Sequence, residues 1–138
     1  MRPSVTSTSG MTLLEIMVVM VILGMIVSLV GVAVLDQLDE AKKRDAKIQI
    51  QNFSSALDLY KLDFGQYPST SEGLQILASP GNNKNPYMKS IPKDPWQKDY
   101  VYISPGSHES SAFDIESYGP DGADGGNDDI ESWSLDNI

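Results

Sequence analysis

Seven carboxylates crowd the last quarter of this sequence: Asp114, Glu116, Asp121, Asp124, Asp128, Asp129 and Glu131, with no lysine or arginine among them. Held together in a folded chain they repel one another, and a hard divalent cation removes that repulsion. Calcium accepts oxygen ligands in flexible geometry, backbone carbonyls included. Gly119, Gly122, Gly125 and Gly126 fall in the same stretch and free the backbone to turn carbonyls inward. The run Asp121-Gly122-Ala123-Asp124-Gly125 is not an EF-hand loop, which needs an oxygen ligand at its fifth position and glycine at its sixth. Spacing alone leaves two readings open, a specific cation site or a solvated acidic loop.

Other chemistries lack their parts. The single histidine, His108, lies in a Gly/Ser-rich turn, and there is no cysteine. No Ser/His/Asp set and no histidine metal site can be assembled from that inventory, so the chain is not read as an enzyme. Paired carboxylates could serve glycoside chemistry, but a cation-free group of seven fits a bound cation better than a tuned pair. Residues 1–98 carry all ten Lys/Arg against nine Asp/Glu, whereas residues 99–138 carry ten Asp/Glu and no Lys or Arg. That tail argues against nucleic acid as a partner, because phosphate binding requires clustered cations. Without cysteine there is no disulfide, and cysteine usage does not locate the chain in a redox compartment.

A second reactive point lies at the N-terminus. Ile16 to Leu35 reads IMVVMVILGMIVSLVGVAVL, an uncharged run of the length that a helix needs to cross a bilayer. A secretory signal would place its small-residue cleavage site after such a run; here Gly10 precedes it, behind a short polar leader with one cation, Arg2. Cleavage after Gly10 leaves the apolar helix on the mature chain. Glu15 then stands one turn into an otherwise apolar segment, where an ionisable group is costly unless paired. The new amine at Met11, or that of a neighbouring subunit, supplies a partner; the alternative is a side chain that reaches back to water.

These groups must be positioned by the rest of the chain. A chain of 138 residues holds one domain, and the apolar run leaves a soluble part small enough to need a staple. Beyond Leu35 the helical period persists: Ala46, Ile50, Phe53, Leu57 and Tyr60 recur at spacings of four, three, four and three. One long helix with an amphipathic outer half is expected, with Asp39/Lys43 and Glu40/Arg44 as solvated i,i+4 pairs. It should stop near Asp63, before Gly65 and Pro68. Ser69 to Leu77 reads as a short helix, and the Gly/Asn/Pro stretch after it as a loop. Tyr100 to Ser104 and Ala112 to Tyr118 read as two strands around a turn at Pro105-Gly106.

Gly10-Met11-Thr12-Leu13-Leu14-Glu15 followed by a long apolar helix resembles the type IV prepilin motif. The later segments are more specific. Ala56 to Asp63, Tyr67-Pro68, Glu72-Gly73-Leu74, Ile91-Pro92-Lys93-Asp94-Pro95-Trp96 and Phe113-Asp114-Ile115 leading into Ser117-Tyr118-Gly119-Pro120-Asp121-Gly122 resemble the major pseudopilin (G-type) of the type II secretion system. The resemblance implies an α+β fold, a long N-terminal helix packed on a small antiparallel sheet with a C-terminal metal-binding loop. It implies a leader over 1–10, a transmembrane helix over 11–35, its amphipathic continuation over 36–64 and a globular region over 65–138. Prepilin peptidase would cut after Gly10, Met11 would become the N-methylated first residue, and Glu15 would guide subunit docking. The chain departs from the family in having Met11 where phenylalanine is usual and Val32 where many members have a helix-kinking proline.

The resemblance also implies a structural Ca2+ with side-chain ligands Asp121, Asp128 and Asp129, backbone carbonyls near Tyr118 and Gly126, and Ser117 as a further candidate. Asp124 is suitable by charge but has no counterpart in that pattern. The ion would pin the Ile130 to Trp133 segment to the strands. The expected function is a structural subunit of a filament that drives export across the outer membrane. Its expected partners are further copies in a homopolymer, prepilin peptidase, minor pseudopilins, the inner-membrane assembly platform and membrane lipid. The alternative is a type IV pilin or competence pseudopilin of an adhesion or DNA-uptake filament. By the resemblance the C-terminal domain is periplasmic, on a single pass through the bacterial inner membrane. A positive-inside count points the other way, because Lys42, Lys43, Arg44 and Lys47 outnumber Arg2.

Overall fold

The computed structural model describes residues 10–81, 84–108 and 111–135, and of residues 29–33 the backbone alone. A 52-residue helix, α1 (Leu13–Phe64), is followed by a 3-10 turn (Leu74–Leu77) and three short strands, β1 (Val101–Ile103), β2 (Asp114–Ser117) and β3 (Ile130–Glu131). The chain divides into two compact units, one ending at Leu38 and one from Asp39 to Ile138.

In the first unit the apolar side chains point outward: Leu13, Met17, Met20, Val27 and Leu35 are all more than half exposed. A surface of this kind needs lipid or other subunits to cover it. Among the described residues no helix is long and apolar enough to cross a membrane. Part of the expected span, residues 29–33, lies outside the described side chains, and so does the departure at Val32.

The second unit is built on one stripe of α1. Ala46, Ile50, Phe53 and Leu57 are completely buried and Tyr60 nearly so, with Ala56 between them. This stripe meets Leu74, Leu77, Tyr100, Tyr102, Ile115 and Ile130 in a single core. Phe53 packs edge-on to Tyr100 at 5.1 Å, and Tyr60 stacks on Phe64 at 4.4 Å. The helix ends where Gly65 adopts φ 81° and donates its N–H to the Lys61 carbonyl at 2.7 Å, a left-handed cap that a Cβ would strain.

The expected helix over Ser69 to Leu77 is shorter in the structure. Ser69 and Glu72 close a turn on each other, Glu72 Oε2 accepting from the Ser69 N–H at 2.8 Å and from its hydroxyl at 2.7 Å, and only Leu74–Leu77 continues as 3-10 geometry. The strands are also shorter than their apolar patterns. They form an antiparallel sheet in the order β1-β2-β3, with Tyr102 opposite Ile115 and Ser117 opposite Ile130. These four residues share the face turned to the core and are all buried. The other face carries Asp114, Glu116 and Glu131, and β3 brings the end of the acidic loop back beside β2.

Candidate metal centre

The acidic loop leaves β2 at Ser117 and returns at Ile130, so both ends are tied to one strand pair. Tight reversals at Gly119, Gly122, Gly125 and Gly126 all use positive φ, and Asn127 joins them at φ 68°. Gly119 is indispensable for a second reason: a Cβ there would strike the Asp128 carbonyl. At Gly126 a Cβ would stand 2.9 Å from Asp128 Oδ1 and 3.2 Å from Asp121 Oδ2. Two carboxylates from opposite arms of the loop thus converge on the space beside a residue with no side chain.

Hydrogen bonds hold those carboxylates in place. Asp128 Oδ2 accepts from the Asp121 N–H at 3.2 Å, and Asp121 Oδ1 accepts from the Ala123 N–H at 2.8 Å. Asp129 Oδ2 accepts from the Gly125 N–H at 2.8 Å, while its Oδ1 is buried without a partner. A buried carboxylate oxygen lacking a donor is costly, and a cation is one group that satisfies it. Burial pushes the Asp129 carboxyl above its ordinary value, and Asp128, Asp124 and Asp121 add to the shift.

A second group shares Asp129. Carboxylate oxygens of Glu116, Asp129 and Glu131 all lie within 4.8 Å of one another. Burial, reinforced by Asp124, Asp129 and Glu131, pushes Glu116 up to about 7. Tyr118 is raised by the same surroundings, burial first and then Glu116. The structure thus forms two groupings, Asp121 with Asp128 beside Gly126, and Asp129 with Glu116 and Glu131, the last two of which the sequence reading counted in the acidic run but left out of the ligand set. Every side-chain donor is a carboxylate oxygen, a set that fits a hard divalent cation and not a soft one.

The remaining expected ligands are placed differently. The Tyr118 carbonyl accepts from the Gly122 N–H at 3.2 Å and lies inside the loop. The Ser117 hydroxyl points the other way, donating to Asp94 Oδ2 at 2.6 Å. Asp94 is the residue that sequence reasoning passed over. It is fully buried, and its Oδ1 accepts from the Trp96 N–H at 3.0 Å and the Lys98 N–H at 2.7 Å. One carboxylate thereby locks the irregular Asp94 to Lys98 turn and fastens it to the strand end from which the loop departs. An aspartate two residues before an N–H that it caps is a legible turn signal; its bond to Ser117, 23 residues on, is not.

On the outer face of the sheet, His108 stacks on Trp133 with ring centroids 3.7 Å apart and planes 10° apart. Its Nδ1 lies 3.0 Å from Asp114 Oδ2, which also accepts from the Ser107 N–H at 2.6 Å. This pair anchors the residues that follow β3. At the N-terminus, Gly10 and Met11 are exposed. Glu15 faces Thr12 reciprocally: Glu15 N–H donates to Thr12 Oγ1 at 3.2 Å, and Thr12 N–H to Glu15 Oε2 at 3.5 Å. This is a capping box, and it gives Glu15 a partner within its own chain.

The architecture and both ends of the chain have counterparts. Residues 33–133 match the family described as type II secretion system (T2SS), protein G, and residues 6–31 match the prokaryotic N-terminal methylation motif. The chain is 44% identical over 134 residues to the type II secretion system core protein G of Escherichia coli, covering 91% of each. It is 46% identical over 136 residues to that of Pseudomonas aeruginosa, covering 91% of this chain and 94% of the relative. Its fold resembles the crystal structure of the major pseudopilin from the type 2 secretion system of enterohaemorrhagic Escherichia coli, with a TM-score of 0.65 and 36% identity over 73% of this chain and 90% of that one. A buried α1 stripe on a three-stranded sheet, with a family match running from that helix to Trp133, makes the chain a member of the type II secretion system protein G family.

Proposed function

We propose that this chain is a structural subunit of the type II secretion pseudopilus, cut by prepilin peptidase after Gly10, N-methylated at Met11 and polymerised through α1. The observation that carries this reading is the abutment of two matches, the methylation motif over residues 6–31 and the protein G family over residues 33–133. The apolar, outward-facing side chains of Leu13 to Val27 and of Val34, Leu35 and Leu38 support a single pass through the inner membrane with the sheet-bearing unit in the periplasm. In the filament the same side chains pack on neighbouring copies, minor pseudopilins and the assembly platform, where lipid no longer covers them.

Ca2+ is the proposed occupant of the acidic loop, held by Asp121, Asp128 and Asp129 with the backbone carbonyls of Tyr118 and Gly126. The unpartnered Asp129 Oδ1 and the convergence of Asp121 and Asp128 on Gly126 support it. Ser117, whose hydroxyl donates to Asp94, is the weaker candidate. The bound ion supplies positive charge that lets the carboxylates lie together, and so fixes β3 against β2. The role of the chain is assembly, not catalysis.

Glu15 carries the assembly step in this reading. With Met11 as the first residue, its carboxylate lies one turn from a new cation and can pair with the amine of an adjacent subunit. Glu15→Ala in secreting cells should leave cleavage after Gly10 intact and abolish filaments; normal filaments from that variant would refute the role.

A further inference from the structure

The wall facing the acidic loop is basic. A cleft of about 430 Å³ separates the loop from α1, with Asp128 and Asp129 on one side and Glu40, Lys43, Arg44 and Lys47 on the other. The helix residues fall at i, i+3, i+4 and i+7, one face of α1. Lys43 is partly neutralised by Glu40 at 3.8 Å. Among the described residues neither Arg44 nor Lys47 makes an ion pair, and Lys47 is half-buried. Arg44 and Lys47 therefore face, across the cleft, the two adjacent carboxylates of the loop.

We propose that Arg44 and Lys47 set the calcium affinity of the acidic loop, as internal counter-cations that a bound divalent ion must oppose. The inference rests on the calcium reading of the loop. In the metal-free protein the two cations offset part of the repulsion among Asp121, Asp128 and Asp129 and stabilise the loop. In the metal-bound protein they face a divalent charge and are repelled by it. The attraction to the carboxylates is common to both states, so the repulsion of the bound ion is what lowers the affinity; calcium is held less tightly than the loop's carboxylates alone would hold it, and occupancy responds to the external calcium concentration.

Coulomb's law at a water-like dielectric gives the size of the direct term. For a separation of one Debye length, about 8 Å, one cation facing a divalent ion weakens binding about two-fold at about 0.15 M salt and about four-fold at about 0.01 M, where screening is weaker. The effect should grow as salt falls and should depend on charge, not on side-chain identity.

Calorimetric titration of calcium into the full-length chain in a non-ionic detergent tests this. The Arg44→Gln/Lys47→Gln variant should bind about four-fold more tightly than wild type at about 0.15 M salt and more than ten-fold more tightly at about 0.01 M. The charge-keeping variant Arg44→Lys/Lys47→Arg should match wild type. Without metal the glutamine variant should melt at a lower temperature than wild type, and with saturating calcium the two should converge. Arg44→Gln alone, at an exposed position, should give about a two-fold gain if the double change impairs folding. Unchanged or weaker affinity in folded glutamine variants overturns the inference and leaves the calcium site standing. Absence of calcium binding to wild type and variants alike overturns the calcium reading itself, and this inference with it.

Discussion

Glu116 of β2 and Glu131 of β3 stand directly opposite one another in the antiparallel register, on the face of the sheet away from the core. Like charges so placed destabilise a strand pair, and a two-residue strand has few other contacts with which to offset the loss. The pairing is therefore a weak point of the metal-free fold, adjacent to the loop that brings Asp129 within 4.8 Å of both.

Glu116→Gln should remove that repulsion. At about pH 8, above the value of about 7 to which Glu116 is pushed, it should stabilise the metal-free chain by roughly 0.5 kcal/mol, measured by urea denaturation in excess EDTA. With calcium present the gain should shrink, because the cation already screens the pair.

Calcium itself should act as a ligand of the folded state only. At a free concentration about a hundred times Kd it should contribute about 2.7 kcal/mol, raising the melting temperature by on the order of 10 °C. Identical melting curves of the full chain with excess EDTA and with calcium would remove the ion from the account.

Gly119→Ala and Gly125→Ala separate backbone strain from collision. Both positions use positive φ, but only at Gly119 does a Cβ meet the Asp128 backbone, whereas Gly125 opens on free space. Gly125→Ala should cost about 1 kcal/mol, and Gly119→Ala several times that with loss of calcium binding. Equal melting temperatures for the two variants would show that the loop relaxes around the added methyl.

Asp114 contributes to the acid limb of stability. Burial raises its pKa, but donation from His108, from the Ser107 N–H and hydroxyl and from the His108 N–H outweighs it, so the carboxyl is held below its ordinary 3.8. With the folded value depressed, the unfolded chain binds the proton first. The stabilisation is fully present above the unfolded value and is lost as pH falls through the lower folded one. Asp114→Asn should cost about 2 kcal/mol at neutral pH and flatten stability against pH below about 4. An unchanged acid limb would assign that slope to other carboxylates.

The parts of this fold that sequence made legible are those whose signal is local. Ala46, Ile50, Phe53, Leu57 and Tyr60 could be read as one buried face because a helix repeats every few residues, and Gly65 marked its end. The charge of the acidic loop left a cation site and a solvated loop both open, and the choice of Asp121, Asp128 and Asp129 came from resemblance. What stayed hidden depends on register between distant segments. The pattern of β3 is too short to announce a strand, so the Glu116–Glu131 opposition and the joining of both to Asp129 emerge only with the sheet. The Asp94–Ser117 bond and the His108–Trp133 stack are likewise tertiary. Thr12 and Glu15 are a different case: a threonine followed three residues on by glutamate is a local capping signature, and membrane cost had drawn attention to Glu15 alone.

The account centres on a subunit that is processed and then polymerised, and the mature N-terminus tests that most directly. Mass spectrometry of the chain purified from secreting cells should show loss of residues 1–10 and a first residue, Met11, carrying one added methyl group. A chain that retains Met1, or one cut beyond the apolar run, would contradict the account.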